Sequence, residues 1–246
     1  MSYSIQLYTL RNHLADDLEG TLARVAQIGY PLVEPYQIVA ETDRLGAALA
    51  ANGLKAPSTH APLLGEQQEE VLAAAQQLGI RTVICPATPA EKWEQAGDIE
   101  AIAESLNAAA SRAAEFGLRV GYHNHWWELG DVNGRTGLEH LAAHLTPEVI
   151  LEIDTYWAAV AGQDPIALIN TLGERVRFLH LKDGPVNEVT TDQLALGAGV
   201  MPVRQILSSA AHLEVGVVEL DDHDGDMFTA VEQSLQFLTS DAAGTE

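Results

Sequence analysis

One cysteine, Cys85, occurs in 246 residues, so no disulfide framework can form within the chain. Basic residues are scarce too: 13 Lys and Arg stand against 35 Asp and Glu, a formal charge of -22. Such a surface repels nucleic-acid phosphates and anionic lipid, which excludes both as partners. It does not exclude an anionic substrate, because a bound divalent ion dominates its local field. No apolar run approaches the roughly 20 residues of a membrane span. The N-terminus lacks a basic segment followed by an apolar core, so no signal peptide is expected. A cytoplasmic protein is the expectation. No linker or low-complexity stretch interrupts the chain, and 47% hydrophobic residues suffice for a sizeable core.

What is present is a repeating grammar. Short apolar runs at 4–8, 32–34, 55–59, 81–85, 119–123, 149–153, 176–181 and 215–220 read as strands. Helical periods lie between them; Leu18, Leu22 and Val25 mark one face, and Ile99, Ile102, Leu106, Ala110 and Ala113 another. Glycines at 29, 53, 79, 117 and 173 each stand where a helix ends before the next strand. Pro165 and Pro202 suit the first turns of later helices. Eight strand–helix units imply a parallel sheet with right-handed crossovers. Eight fit an α/β fold of the closed (β/α)8 TIM barrel type, whose usual length is about 250 residues. An open doubly wound sheet would show a Gly-rich turn after the first strand, and Thr9-Leu10-Arg11-Asn12 has no glycine. Residues 1–246 are expected to form one domain, with 239–246 as a frayed tail.

Buried strands are normally apolar throughout, because an unpaired buried charge costs several kcal/mol. Here Leu151-Glu152-Ile153-Asp154, the stretch from Phe178 to Asp183, and Val217-Val218-Glu219-Leu220-Asp221 put carboxylate and imidazole groups directly after apolar runs. Tyr122-His123-Asn124-His125 has the same form. In a barrel the carboxyl ends of the strands carry the active site. The polar ends here include Glu34, His60, His123 with His125, Asp154, His180 with Lys182, and Glu219. Their convergence calls for something cationic. Asp154, His180 and Glu219 are a mixed oxygen and nitrogen set, suited to one divalent ion of Mn, Mg, Co or Zn.

Val33-Glu34, Gly-Tyr-His-Asn-His at 121–125 followed by Glu128, and Asp154-Thr155-Tyr156-Trp157 occur in order. Gly162-Gln163-Asp164-Pro165, His180-Leu181-Lys182-Asp183 and Glu219-Leu220-Asp221 complete the series. On these motifs the chain resembles the xylose isomerase-like TIM barrels, the sugar phosphate isomerase/epimerase family, over about 230 residues. The resemblance implies an ion held by a Glu, an Asp, a His and a second Glu. Asp154, His180 and Glu219 map onto the last three. His123 stands where many relatives have the first Glu, and is the expected fourth ligand; His125 and Glu128 are the alternatives. This replacement removes a carboxylate that serves as acid/base in the ketose epimerase branch.

The remaining roles follow from position. Glu128 is the candidate base, with Lys182 and Glu219 as further catalytic residues. Glu34, His60, His125 and Trp157 are candidate substrate contacts. The expected activity is metal-dependent isomerisation or epimerisation of a keto- or hydroxy-sugar, or a sugar phosphate, through a metal-bound enediolate. Two alternatives use the same site: a dehydratase or lyase of a keto-sugar or inosose, and a catalytically silent sugar-binding barrel. A nuclease of the apurinic endonuclease branch conflicts with the charge of -22. The partner is a small sugar or polyol, and association into a homo-oligomer stays open. Two patterns are decoys. His140 and His144 are four apart, but Leu141 stands where a metalloprotease motif has Glu. The run 221–226 lacks the spacing of a calcium loop and is expected to organise Glu219.

Overall fold

The computed structural model describes residues 2–240. The strands are β1 (Ser2–Gln6), β2 (Leu32–Glu34), β3 (Ser58–His60), β4 (Thr82–Cys85) and β5 (Arg119–His123). A two-residue pair follows, β6 (Asp131–Val132) and β7 (Arg135–Thr136), then β8 (Val149–Asp154), β9 (Val176–Leu181) and β10 (Val215–Val218). Eight of them form one parallel sheet in the order β2-β1-β10-β9-β8-β5-β4-β3. Its two edges meet. Val33 N donates to Lys55 O at 2.9 Å and His60 N to Pro35 O at 2.9 Å. This seam is sparse because Pro35 and Pro57 have no N–H to give. With helices packed outside, the chain is a (β/α)8 TIM barrel, as its alternating pattern predicts.

The boundaries shift at three strands. β1 starts and ends two residues earlier than expected, because the Gln6 side chain accepts from Tyr8 N at 3.1 Å and starts a 3-10 turn at Leu7–Leu10. β3 begins only after Pro57, and β10 ends at Val218. The β6–β7 hairpin has no counterpart in the expected pattern. It leads into the helix Gly137–His144, whose Thr136 and Glu139 cap each other reciprocally. Gly29, at φ 111°, closes the helix Leu18–Ile28 in a conformation that costs any other residue dearly. The last helix runs Met227–Thr239, so Thr239 is helical and not part of a tail. Residues 241–246 of the expected tail lie outside the described residues.

Side chains alternate between the barrel interior and the helix layer. The larger core joins the outer faces of the strands to the helices. A separate cluster of Ile84, Ile150, Phe178, Val215 and Val217 plugs the base of the barrel. The next inward residues up the same strands are polar: Glu152 above Ile150, His180 above Phe178, Glu219 above Val217. The plug is therefore the floor on which the polar groups stand. Phe178 is 1% exposed. Replacing it by Ala should cost about 3–5 kcal/mol, the usual range for a buried Phe. Urea unfolding of Phe178→Ala against wild type measures this, and a loss below about 1 kcal/mol would show that the floor is not packed as described.

Candidate active site

Two groups of donors stand above the floor and share His180. The outer group is Asp154, His180 and Glu219; the inner is His60, His123, Glu152 and His180. Within each group the donor atoms lie within 4.8 Å of one another, close enough to hold one ion. The strand period explains the pairing. Glu152 and Asp154 are two apart on β8 and point the same way, one step apart in depth. Both are fully buried, as are Glu34 and His180.

In the inner group one atom is the hub. Glu152 Oε2 lies 2.6 Å from His60 Nε2, 3.2 Å from His123 Nδ1 and 3.1 Å from His180 Nε2. Glu34 completes the ring, with Oε1 2.9 Å from His180 Nε2 and 3.3 Å from His60 Nε2. Gln6 and Ser58 donate to Glu34 from the strands on either side. The rings of His60 and His180 stack in parallel at 5.0 Å. Oε1 of Glu152 has no hydrogen-bond partner among the described residues. A buried carboxylate oxygen without a donor is costly unless a cation approaches it.

The outer group already has a cation. Lys182 Nζ, on a side chain 1% exposed, sits 2.8 Å from Asp154 Oδ2, 2.9 Å from Glu219 Oε2 and 2.8 Å from Asp221 Oδ2. The contact to Asp154 is an ion pair without hydrogen-bond alignment, so Oδ2 keeps free lone pairs. Oδ1 of Asp154 is committed: it caps the helix Thr155–Val160 through Tyr156 N and Trp157 N. His180 Nδ1 meets Glu219 Oε2 at 2.6 Å. The next residue, Asp183, gathers the N–H groups of Gly184, Gly197 and Met201 and fixes the following loop. Gly199 packs so tightly there that a Cβ would lie 2.2 Å from Asp183 Oδ1.

Charge balance sets the protonation. Burial opposes the His180 imidazolium, yet Glu152 and Glu219 outweigh it and hold its pKa well above the usual value. His60 is raised for the same reason, against burial, by Glu34 and Glu152. His123 goes the other way: burial, then the neighbouring His180 charge, holds it well below 6.5. Burial raises Glu34, and the Glu152 charge adds to that. Burial also penalises Glu152, but His180 and His60 overcome it and keep this carboxylate ionised.

The structure brings Glu34, His60, His123, Asp154, His180, Lys182 and Glu219 together. Trp157 is buried beside them, its ring centroid 5.4 Å from Lys182 Nζ. A cavity of about 730 Å³ opens above, lined on one side by His60, His123, His125, Glu219 and Asp221 and on the other by Tyr8, Tyr36, Ile38 and Pro62. Glu128 is not brought to this group. Tyr122, adjacent to His123 on β5, points to the helix layer, and Glu128 lies behind the wall with it. Glu128 accepts from Tyr122 Oη at 3.0 Å and from His125 N at 2.8 Å, and it faces His125 Nδ1 at 3.6 Å. Cys85 is on the same outer side, where burial pushes its thiol up to about 12. Glu152 was passed over in the sequence because it is not a strand end; its two-residue offset from Asp154 was the available signal. Among the described residues His140 and His144 join no donor group, His140 Nε2 meeting Val132 O at 2.5 Å; of the run 221–226, Asp221 pairs with Lys182 and Asp226 caps the last helix.

Residues 22–240 match the family model for the xylose isomerase-like TIM barrel, and the chain belongs to that family. Among curated relatives, inosose dehydratase of Lacticaseibacillus casei is 30% identical over 115 residues, which is 45% of this chain and 36% of that protein. The matched part therefore spans about a third of that relative. A sugar phosphate isomerase/epimerase from Parabacteroides distasonis ATCC 8503 superposes with a TM-score of 0.83 at 22% identity, covering 96% of this chain and 93% of that one. A structure of the IolI protein with a zinc atom gives 0.72 at 14%, covering 97% and 96%. Both share the fold. The family includes enzymes, among them inosose dehydratases and sugar isomerases or epimerases. No helix among the described residues is long and apolar enough to cross a membrane.

Lys182 offers a direct check on the outer network. Burial would lower its pKa, but Asp154, Asp221 and Glu219 raise it well above 10.5. A raised folded value means its contribution is complete below the unfolded value of about 10.4 and is lost as pH rises through the folded one. Lys182→Met strands three carboxylates and should cost about 3–5 kcal/mol. Denaturant unfolding should show that difference unchanged from about pH 7 to pH 9, below the unfolded lysine value. A difference that already fades over this interval would contradict the ion-pair assignment.

Proposed function

We infer that this chain removes the proton next to the carbonyl of a keto-polyol and expels the neighbouring hydroxyl as water, a dehydration of the inosose type. One observation carries the reading. His125 is the imidazole on the cavity wall that belongs to neither donor group; the one carboxylate facing it is Glu128, 3.6 Å from Nδ1. His60, His123 and His180 are each held by buried carboxylates. His125 instead stacks on Trp127 at 4.1 Å, with Glu128 holding its backbone N–H at 2.8 Å. It is positioned by its neighbours yet left open to a ligand.

The donor set suits a divalent ion. It combines imidazole nitrogens and carboxylate oxygens without thiolate, and it includes the orphaned Glu152 Oε1. When bound, such an ion supplies a Lewis acid that acidifies the proton beside a ketone. The chain's own residues do the rest. His125 accepts the proton from the carbon next to the ketone. The freed electron pair forms the carbon–carbon double bond as the C–O bond to the neighbouring hydroxyl breaks. The same imidazolium returns its proton to the departing oxygen, so water leaves and His125 ends neutral. One base suffices for this sequence. Epimerisation by two opposed carboxylates needs a second, and His123 occupies the place where relatives carry one of them. Glu128 is then a positioning residue for His125, and the apolar wall of Tyr8, Tyr36 and Ile38 excludes water from one side of the ligand.

A second reading keeps the same first step and returns the proton to carbon, giving isomerisation or epimerisation. The likeness in fold to the sugar phosphate isomerase/epimerase supports it. Incubation with Mn²⁺, Co²⁺ or Zn²⁺ and a panel of inososes and ketoses in D₂O separates the two. Loss of one water by mass is expected for an inosose, and His125→Ala should lower its rate by about 10²–10⁴-fold while metal binding is unchanged. Deuterium uptake without water loss would select the second reading. Neither outcome across the panel, with metal bound, would overturn both.

A further inference from the structure

Resting on the reading that the cavity takes a keto-polyol, we propose that this polyol carries no phosphate and bears an aryl substituent, seated on the wall that faces the histidines. The cavity has two unlike sides. The polar side comes from the later strands, with His123, His125, Glu219 and Asp221. The facing side comes from the loops after β1 to β4, with Tyr8, Tyr36, Ile38, Val39, Pro62 and Pro86. The side chains of Ile38, Val39 and both prolines have no donor or acceptor, so a hydroxyl turned toward them would lose its water without replacement. Tyr8 and Tyr36 meet edge to face at 5.4 Å, and Tyr8 is 41% exposed. An exposed aromatic pair continuous with a polar pocket suits a flat apolar group.

Charge argues against a phosphate. Among the described residues, no lysine or arginine lines the cavity. Lys182 is 1% exposed and is held by Asp154, Glu219 and Asp221 at 2.8–2.9 Å. Arg11 lies over the Tyr8 ring and donates to Tyr8 O at 3.1 Å, outside the lining. Two helices, Thr42–Ala51 and Gln68–Gln77, begin just after the lining residues Ala40 and Gln67. Asp43, and Glu69 with Glu70, stand in their first turns, where an anion would otherwise be attracted. Size agrees: about 730 Å³ lies in the upper part of the range for sites that bury drug-sized ligands, which leaves room beside a single polyol ring. The wall is also held in place. Gln37, at φ 53°, adopts a left-handed conformation unfavourable for a residue with a side chain. It persists because Tyr36 pairs with His60 in a β-bridge and Thr42 Oγ1 donates to Ile38 O at 2.8 Å. These ties fix Tyr36 and Ile38 on the wall.

Calorimetric titration of the wild type in the presence of Mn²⁺ tests this apart from turnover. The probes are an inosose, methyl β-D-glucopyranoside, phenyl β-D-glucopyranoside and glucose 6-phosphate. The phenyl glucoside should bind about 10–100-fold more tightly than the methyl glucoside, the gain from burying one aromatic ring. Glucose 6-phosphate should bind no more tightly than the methyl glucoside. In Tyr8→Ala/Tyr36→Ala the phenyl-over-methyl ratio should fall at least about threefold, with thermal unfolding as the check on folding. If the double variant does not fold, Tyr8→Ala alone, at its exposed position, carries the same expectation. Equal affinity for the two glucosides would overturn the inference, as would a ratio unchanged by the substitution or tighter binding of glucose 6-phosphate. An inosose that binds while neither glucoside does would overturn it and leave the proposed function standing. No binding by any of the four would sink both.

Discussion

The cost of burying ionised groups governs this molecule. Glu34, Glu152, Asp154 and Glu219 sit at 0–5% exposure inside a barrel that could have been filled with aliphatic side chains. Each must meet a cation or a donor to remain there. The barrel supplies them in two sets: imidazoles around Glu34 and Glu152, and one ammonium among Asp154, Glu219 and Asp221. His180 belongs to both, with Nδ1 on Glu219 and Nε2 on Glu34 and Glu152. Its raised pKa is the electrostatic signature of that shared position. Natural cores keep such networks at a cost in stability, which is the reason to read this one as functional.

Strand periodicity turns this constraint into architecture. Inward apolar residues lie low in the barrel, Ile150 on β8, Phe178 on β9, and Val215 with Val217 on β10, and the next inward residues above them are polar. Ile150, Phe178 and Val217 seal the base, so the charges stand on a dry floor and open only upward. Low dielectric strengthens every pair above that floor. The two-residue step between Glu152 and Asp154 then separates an inner from an outer group on a single strand. The same alternation puts Tyr122, Cys85 and Glu128 behind the wall, away from the ligands.

Most of the fold was legible because it rests on local signals: eight apolar runs, helical periods between them, and glycines where helices end. Pro57 delayed the start of the third strand, and the Gln6 cap ended the first early, effects of single side chains that a pattern averages away. Seven residues chosen at strand ends do meet in the structure. Glu152 was missed because a rule about ends ignores the next inward residue down. Glu128, chosen because its loop carries two tryptophans, does not reach the cluster; nothing in the sequence says on which side of β5 that loop returns. Its partners, Tyr122 Oη and His125 N, are fixed only by the tertiary path.

One replacement connects these points. A histidine at 123 offers two nitrogens where a carboxylate would offer two oxygens on one side. Nδ1 faces Glu152 at 3.2 Å, and Nε2 is 4.0 Å from Asp154 Oδ2. With no carboxylate at 123, the outer group still sets three carboxylates, Asp154, Glu219 and Asp221, around the single ammonium of Lys182 and stays net negative. Adding an imidazole to the inner group raises its capacity to hold a dication without adding charge. His125 lines the cavity outside both groups, with Glu128 3.6 Å from its Nδ1, and this is where the proposed proton transfer needs an acceptor.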